Sequence, residues 1–523
     1  MTGAPVRRGT AMAVSRRRAA ISTMLGTSTS TVILAVQAIV LIPLYINAIG
    51  PRLYGAWLGS GDILVWLQAF DLGLPNLLIQ RVGAAHGRGD RTTASEYFAS
   101  AMIVMTGIAV AVGVAAVCAS GYVPHAMGVS GGEAATLHRC FAVAAAGAAL
   151  NLFTNGIVGF SRGIQETTFL NIVSTVAAIF GFAVSAVLVL SGAGLWAVSL
   201  GLVTRSVIVF AGALTFVAVH FRRGGLRSCR PRAQMLHELF AVLPVTAIGG
   251  VGYSMMTQSE LFIVASCLRP ELAVVLGVTR KLLEFARALI DTIAFASYGG
   301  IAHLVSSSDR HRILSAHAEV TTLRTTLAIT GAATYMAING SLVRLWVGEA
   351  QYGGPMLTIL FALQFIAVGG AFLANYLYRA LGPVVRGSLA LAVESAIRVP
   401  LMIGLVLVIG LPGIPVAGIL TGTAFALLTH RWTVAKVAAF APLYPRTPRH
   451  VWVVRACILT AGAAAGLLVT WRSWPGVAAA GIVAAVLGGL VLLAIDPLLA
   501  TIRYWLRACW TRSLSAALRK ECP

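Results

Sequence analysis

Runs of about twenty apolar residues recur along the whole chain, separated by short clusters of Gly, Pro and polar residues. A helix of about twenty residues crosses the hydrocarbon core of a bilayer. Fourteen such runs can be marked, at about 24–49, 56–80, 97–120, 136–160, 168–191, 195–220, 240–267, 271–300, 319–345, 355–379, 388–410, 414–440, 451–471 and 476–499. Gly50-Pro51, Gly192-Ala193-Gly194 and Leu411-Pro412-Gly413 leave loops so short that the flanking runs must form antiparallel hairpins. The pattern predicts an all-α, polytopic membrane protein with about 14 transmembrane helices.

Composition supports this reading. Of 523 residues 58% are hydrophobic and only 11% charged, whereas soluble domains carry roughly a quarter charged residues. The net charge of +22 (39 Lys and Arg against 17 Asp and Glu) could suggest nucleic acid, but its placement argues otherwise. Basic residues cluster in alternate loops and at both termini: Arg7, Arg8, Arg16, Arg17 and Arg18, then Arg222, Arg223, Arg227, Arg230 and Arg232, and finally Arg503, Arg507, Arg512, Arg519 and Lys520. Positive-inside placement puts these segments and both ends of the chain in the cytoplasm and leaves no nucleic-acid footprint. The first apolar run is too long for a cleaved signal peptide. Seven scattered cysteines form neither a zinc motif nor a disulfide framework. In the tail, Trp505, Leu506, Cys509, Trp510, Leu514 and Ala517 recur at helical spacing among basic residues. That suits an amphipathic helix on the anionic leaflet, and equally a frayed end.

The chain also repeats itself. Ala48-Ile49-Gly50-Pro51-Arg52-Leu53 leads into the second run and Cys267-Leu268-Arg269-Pro270-Glu271-Leu272 into the eighth, with six runs on either side of a basic linker. The expected organisation is a basic N-terminus (1–23), an N-lobe (24–221, helices 1–6), a linker (222–238), a C-lobe (239–441, helices 7–12), a terminal hairpin (442–500) and a basic tail (501–523). Two pseudo-repeated six-helix lobes of this kind are how several transporter folds enclose a substrate.

The run Leu41-Ile42-Pro43-Leu44-Tyr45-Ile46, then Gly50-Pro51-Arg52-Leu53-Tyr54-Gly55-Ala56-Trp57, then Asp71-Leu72-Gly73-Leu74 resembles the opening of the polysaccharide (Wzx-type) flippases. Those share a superfamily with the lipid II flippases and the MATE drug exporters. The resemblance is most specific over residues 38–83, and no Gly-Tyr pair follows Pro270 in the second half. It implies a flippase that moves an undecaprenyl-diphosphate-linked oligosaccharide across a bacterial inner membrane by alternating access around a cationic central cavity. Glycosyltransferases or a polysaccharide polymerase are implied as partners beside the membrane lipids.

Charges inside spans are costly and usually face a cavity or one another. In the eighth run Arg280, Glu284, Arg287 and Asp291 share one helical face, with Lys281 beside them. They read as a cationic wall for a diphosphate, or else as a self-neutralising ladder. Arg205, midway along the sixth run, has no acid within a helical turn and joins the substrate-binding candidates Arg280, Lys281 and Arg287. Asp62, Glu260, Glu284 and Asp291 are the candidates for coupling to an H+ or Na+ gradient, since burial favours a protonatable or ion-binding carboxylate. Glu394 and Arg398 read as a local i,i+4 pair, Arg324 as a side chain that snorkels to the interface, Asp71 as a turn or cap residue, and Asp496 as solvated. Gly418/Gly422 and Gly462/Gly466 read as helix-packing positions, and Trp57, Tyr122, Trp346, Trp432, Trp452 and Trp474 as interface belts.

None of the three lysines (Lys281, Lys436, Lys520) sits in a P-loop, so ATP hydrolysis by this chain is excluded as the energy source. Two G-x-S-x-G matches (128–132 and 159–163) lack the strand that a nucleophile elbow requires, and no HExxH is present. No cofactor is expected. The alternatives to the flippase are a drug or metabolite antiporter and, further off, a membrane glycosyltransferase, polymerase or ligase. The last class commonly carries a large outer loop, and the longest here is about 121–135.

Overall fold

The computed structural model describes residues 33, 35–227, 231–306, 310–436 and 447–500. Among these every regular element is a helix. The basic N-terminus, the start of the first span and the basic tail lie outside the described residues. By contacts the chain divides into two compact units, Met1–Val274 and Val275–Pro523.

The first unit contains α1 (Ala35–Ile49), α2 (Pro51–Ala69), α3 (Leu74–Gly87), α4 (Arg91–Ala119), α5 (Gly131–Gly163), α6 (Thr168–Leu190), α7 (Trp196–Arg222), α8 (Ala233–Gln258) and α9 (Glu260–Cys267). Helix starts follow local chemistry. Pro51 occupies the first turn of α2, where its missing N–H goes unneeded. Asp90 caps α4, taking the Thr93 amide at 3.0 Å and the Thr93 hydroxyl at 2.6 Å, and these bonds hold its carboxyl below the usual range. The core joins Leu74, Leu78 and Val82 of α3 to Phe98 and Met105 of α4, Leu152 and Phe160 of α5, and Phe216 of α7. The apolar row Ile172, Val176, Ile179, Phe180 and Val187 of α6 stays exposed, as a lipid-facing surface must.

The second unit contains α10 (Pro270–Ser306, which starts in the first unit), α11 (Arg310–Val347), α12 (Gly354–Ala380), α13 (Val384–Ile409), α14 (Gly413–Lys436), α15 (Arg449–Leu468) and α16 (Trp474–Ile495). Glycines set its closest helix contacts, as the sequence predicts. A Cβ at Gly462 would fall 2.5 Å from the Ala333 carbonyl oxygen, one at Gly466 2.0 Å from that of Met336, and one at Gly422 3.0 Å from the Val368 amide. The hairpin α15–α16 therefore seats on α11, and α14 on α12, backbone against backbone.

Several spans depart from expectation. The run 56–80 is two helices, because the Asp71 carboxylate accepts the Gly73 amide at 2.8 Å and turns the chain through Leu72 (φ 55°) and Gly73 (φ 76°). The seventh span breaks at Ser259. Among the described residues ten helices are long and apolar enough to cross a membrane; α10 and α11 are not among them, and α10 alone carries five charged residues between Arg280 and Asp291. Asp496 is buried, not solvated: Arg455 lies too deep in α15 to reach water, and its Nη2 meets Asp496 Oδ2 at 2.9 Å. Trp57 is 5% exposed and belongs to the core, unlike Tyr122 at 77% and Trp452 at 55%, which do sit at span ends facing outward.

The α11–α15 seam gives a direct test. Gly466→Ala should lower the melting temperature in detergent, by about 1–3 kcal/mol of lost stability, because the new methyl displaces backbone. Gly489→Ala, where nothing lies within 4 Å, should leave it unchanged or raise it, as measured by intrinsic fluorescence on heating.

Candidate functional site

In the first unit the site is built around the break in the seventh span. Helix α8 ends at Gln258 and α9 begins at Glu260, with Ser259 alone between them. The Ser259 hydroxyl turns back onto the Met255 carbonyl. An interrupted helix frees backbone donors and acceptors, and inside a bilayer each one left unmet costs several kcal/mol. One stripe of α2 meets both ends. Trp66 Nε1 donates to the Gln258 carbonyl at 3.1 Å, and Asp62 Oδ2 accepts the Phe262 amide at 2.9 Å. The Trp66 ring packs edge-on to Phe262 at 5.1 Å. Further along the stripe, a Cβ at Gly59 would fall 2.6 Å from Ala265 Cβ, and one at Gly55 1.9 Å from the Pro270 carbonyl oxygen. Gly55, Gly59, Asp62 and Trp66 thus form a template on which α9 and the start of α10 lie. Glu260 is the first residue of α9, two positions before the amide that Asp62 holds, and both carboxylates are buried, at 7% and 4% exposure. Two of the candidate coupling acids meet at one helix break.

Arg205 lies in the same unit, midway along α7. Glycines bring it against α6: a Cβ at Gly181 would sit 2.9 Å from the Gly201 carbonyl oxygen and 3.2 Å from Arg205 Cβ. Among the described residues it has neither a hydrogen bond nor an ion pair. Its neighbour Ser206 accepts from Asn151 Nδ2 at 2.9 Å and donates to the Leu202 carbonyl, so this part of α7 carries further polar atoms.

In the second unit the α10 stripe is closer to a ladder than to an open wall. Glu284 takes Arg280 on one carboxylate oxygen at 2.7 Å and Lys281 on the other at 2.6 Å, while Arg287 meets Asp291 at 3.3 Å. A single carboxylate serving two cations leaves the stretch from Arg280 to Asp291 with three cations against two carboxylates. The turn that carries Arg280 is fixed from two sides. Tyr335 donates its hydroxyl to the Thr279 carbonyl at 2.9 Å, and the Gly353 amide donates to Thr279 Oγ1 at 3.1 Å.

Arg324 corrects the sequence reading. It does not snorkel; it is 3% exposed in α11 and donates to the carbonyls of Ile366 (3.2 Å) and Phe365 (3.4 Å) in α12. A Cβ at Gly369 would lie 1.5 Å from its Nη2, so the guanidinium occupies the place that the glycine leaves. Its charged neighbours are Asp291 and Arg287, which adds it to the α10 cluster. The adjacent pair Gly369-Gly370 inside a span was the only sequence trace of this arrangement. Glu394 and Arg398, by contrast, form the expected local pair, buried, with Arg398 Nε also donating to Thr421 at 2.7 Å.

With this geometry in place, the comparisons with known proteins identify the fold. A family model described as MatE matches residues 62–187, a stretch that opens on Asp62. A multidrug resistance MATE family transporter of the MOP superfamily, solved inward-facing, superposes with a TM-score of 0.61 at 14% identity, covering 77% of this chain and 95% of its own. An outward-facing structure of such a transporter gives 0.60 at 15%, covering 81% and 96%. A MOP superfamily transporter from Pyrococcus furiosus gives 0.60 at 14%, covering 81% and 96%. No curated protein matches the chain by sequence. The chain has the all-helical, polytopic membrane fold of MATE transporters.

Two substitutions probe the sites separately. Asp62→Asn keeps an acceptor for the Phe262 amide and should melt like the parent, whereas Asp62→Ala strands that amide and should cost about 1–3 kcal/mol, read from thermal denaturation in detergent. Gly369→Ala drives a methyl into Arg324 and should cost about 3 kcal/mol or more, while Gly370→Ala, 3.8 Å from the guanidinium, should be tolerated.

Proposed function

We propose that this chain is a transporter, not an enzyme, and that it flips a polyprenyl-diphosphate-linked oligosaccharide, with an undecaprenyl carrier, by alternating access. The observation that carries this reading is the surplus of positive charge inside the spans, half-buried at Arg280, Lys281, Arg287 and Arg205 and buried at Arg324. In the α10–α11 cluster Arg280 and Lys281 share Glu284, Arg287 pairs with Asp291, and Arg324 lies near Asp291 and Arg287, while Arg205 has no ion pair among the described residues. Such a surplus suits an anionic cargo: guanidinium groups grip phosphate oxygens in pairs, and a diphosphate supplies more negative charge than a single carboxylate. The P. furiosus relative is described as having a binding pocket of reverse polarity that suggests a different function. That description ties pocket polarity to function in that relative, and the positive surplus between Arg280 and Asp291 supports an anionic cargo in this chain. Inward-facing and outward-facing structures of the fold support alternating access as the mode of movement.

In this reading Asp62 and Glu260 take the coupling ion, H+ or Na+. Both are buried carboxylates at a helix break, where ion occupancy and backbone geometry act on each other. Glu284 and Asp291 hold the cations of the cluster, a tuning role. The setting proposed is a bacterial inner membrane with both termini cytoplasmic, beside the glycosyltransferases and polymerase that make and use the cargo.

A second reading has a specific observation behind it: the structural relatives described above include multidrug resistance transporters. A drug or metabolite antiporter would use the Asp62–Glu260 pair with a cationic or neutral cargo. Depletion of the protein in cells, followed by mass spectrometry of polyprenyl-linked glycans, separates the two. Flipping predicts accumulation of completed lipid-linked units, loss of surface glycan, and no rescue by Arg280→Ala or Arg287→Ala proteins that still insert. Unchanged lipid-linked pools together with higher dye retention would favour the antiporter.

A further inference from the structure

We propose that the end of the second unit where α12 meets α13 is a headgroup site for an anionic glycerophospholipid of the surrounding bilayer. The chain leaves α12 at Tyr378-Arg379-Ala380, turns through Leu381-Gly382-Pro383 and enters α13 at Val384. The turn is tight. Asn375 Nδ2 donates to the Gly387 carbonyl at 2.9 Å, and Arg379 crosses Gly387 so closely that a Cβ there would lie 2.4 Å from Arg379 Cγ. This places Arg379 of α12 against the turn of α13 that carries Arg386.

Aromatic rings complete the site. The Arg386 guanidinium stacks 4.5 Å from the centroid of Trp432 in α14, and Tyr378 packs on the same ring at 5.6 Å. Neither arginine forms an ion pair among the described residues, and Arg379 Nε is buried there with no hydrogen-bond partner. Trp and Tyr at helix ends lie at the level of lipid headgroups, and basic pockets between such ends bind anionic headgroups. Stacking on an aromatic face holds a guanidinium in place while leaving its in-plane donors for a phosphate.

What selects a lipid over a soluble anion is the surface beside the arginines. Val385, Leu389, Val393 and Ile397 are exposed at 54%, 48%, 51% and 49%. They form one apolar row along α13 that starts next to Arg386 and runs away from it. A free phosphate would use the arginines and ignore the row. A glycerophospholipid would use both, with its phosphate on Arg379 and Arg386, its glycerol region against Trp432 and an acyl chain along the row. The site lies apart from the α10 stripe and does not rest on the cargo proposed above.

Native mass spectrometry of the purified full chain tests this, with phosphatidylglycerol and phosphatidylcholine titrated separately in detergent. The parent should retain phosphatidylglycerol in preference to phosphatidylcholine. R379Q/R386Q should weaken phosphatidylglycerol retention about thirtyfold, the loss expected for two basic groups at a membrane surface. R222Q/R223Q, which removes two basic residues from the end of α7, should retain it like the parent. If the double variant elutes as aggregate, R386Q alone, altered at an exposed side chain, should still show a clear loss. The site is overturned by parent-like retention in a monodisperse R379Q/R386Q or R386Q protein, by an equal loss in R222Q/R223Q, by equal retention of the two lipids in the parent, or by inorganic phosphate held as firmly as phosphatidylglycerol.

Discussion

A backbone amide or a charged side chain placed in hydrocarbon has no water to turn to, and most of the arrangement described above follows from that constraint. The bond from the Phe262 amide to Asp62 is its sharpest instance. Ser259 interrupts a membrane helix, the interruption frees a donor, and an acid from α2 takes it. The same logic sends Arg455 to Asp496, Arg398 to Glu394 and Thr421, and Arg324 to two carbonyls of α12. In a soluble protein, exposed pairs of this kind would contribute little. Here the alternative is an unpaired charge in lipid, so each pair fixes which helices can be neighbours.

Hydropathy and charge placement were enough for the class of fold, because a bilayer forces long apolar helices and sorts the arginines between loops. The glycine seams were legible for a related reason: Gly462/Gly466 and Gly418/Gly422 stand at four-residue spacing in spans that need close contacts. What the pattern could not show was the partner of each buried charge. Arg324 lies near a span end, where snorkelling is the cheaper expectation, and only Gly369 in another helix makes burial feasible. Asp496 follows an apolar run and resembles any solvated terminus until Arg455 is placed opposite. The break at Ser259 left no mark on hydropathy at all, since a single residue of irregular backbone changes no average. Asp62 and Glu260 were singled out as buried acids, but their meeting at one break is a property of tertiary packing.

The two acids also show why a break and a charge belong together in this fold. A carboxylate on the first free amides of a helix is favoured by the helix dipole, and each stabilises the other. If a coupling ion neutralises one carboxylate, the capping bond weakens and the free backbone of the break must find another arrangement. Because α2 holds both ends through Asp62 and Trp66, the change is delivered to α2, not spread through the lipid face. On the proposed coupling role, this is where an ion could bias a larger rearrangement.

The pairing along α10 bears on how an anionic cargo can be both bound and released. A cluster of wholly unpaired arginines would be costly to insert and would hold a diphosphate too firmly to let it leave. On the proposed function Glu284 would alter both sides of that balance: it offsets part of the charge of Arg280 and Lys281, and it would compete with an incoming phosphate for the same donors. Binding then exchanges one set of charge-assisted hydrogen bonds for another and gains only the difference. Asp291 has the same relation to Arg287, with Arg324 anchored nearby on α12 as a cation held at a fixed position. If the proposed cargo binds here, a ladder and a binding wall would be the same structure in two states of occupancy, and the self-pairing would be what makes an anion site inside a membrane reversible.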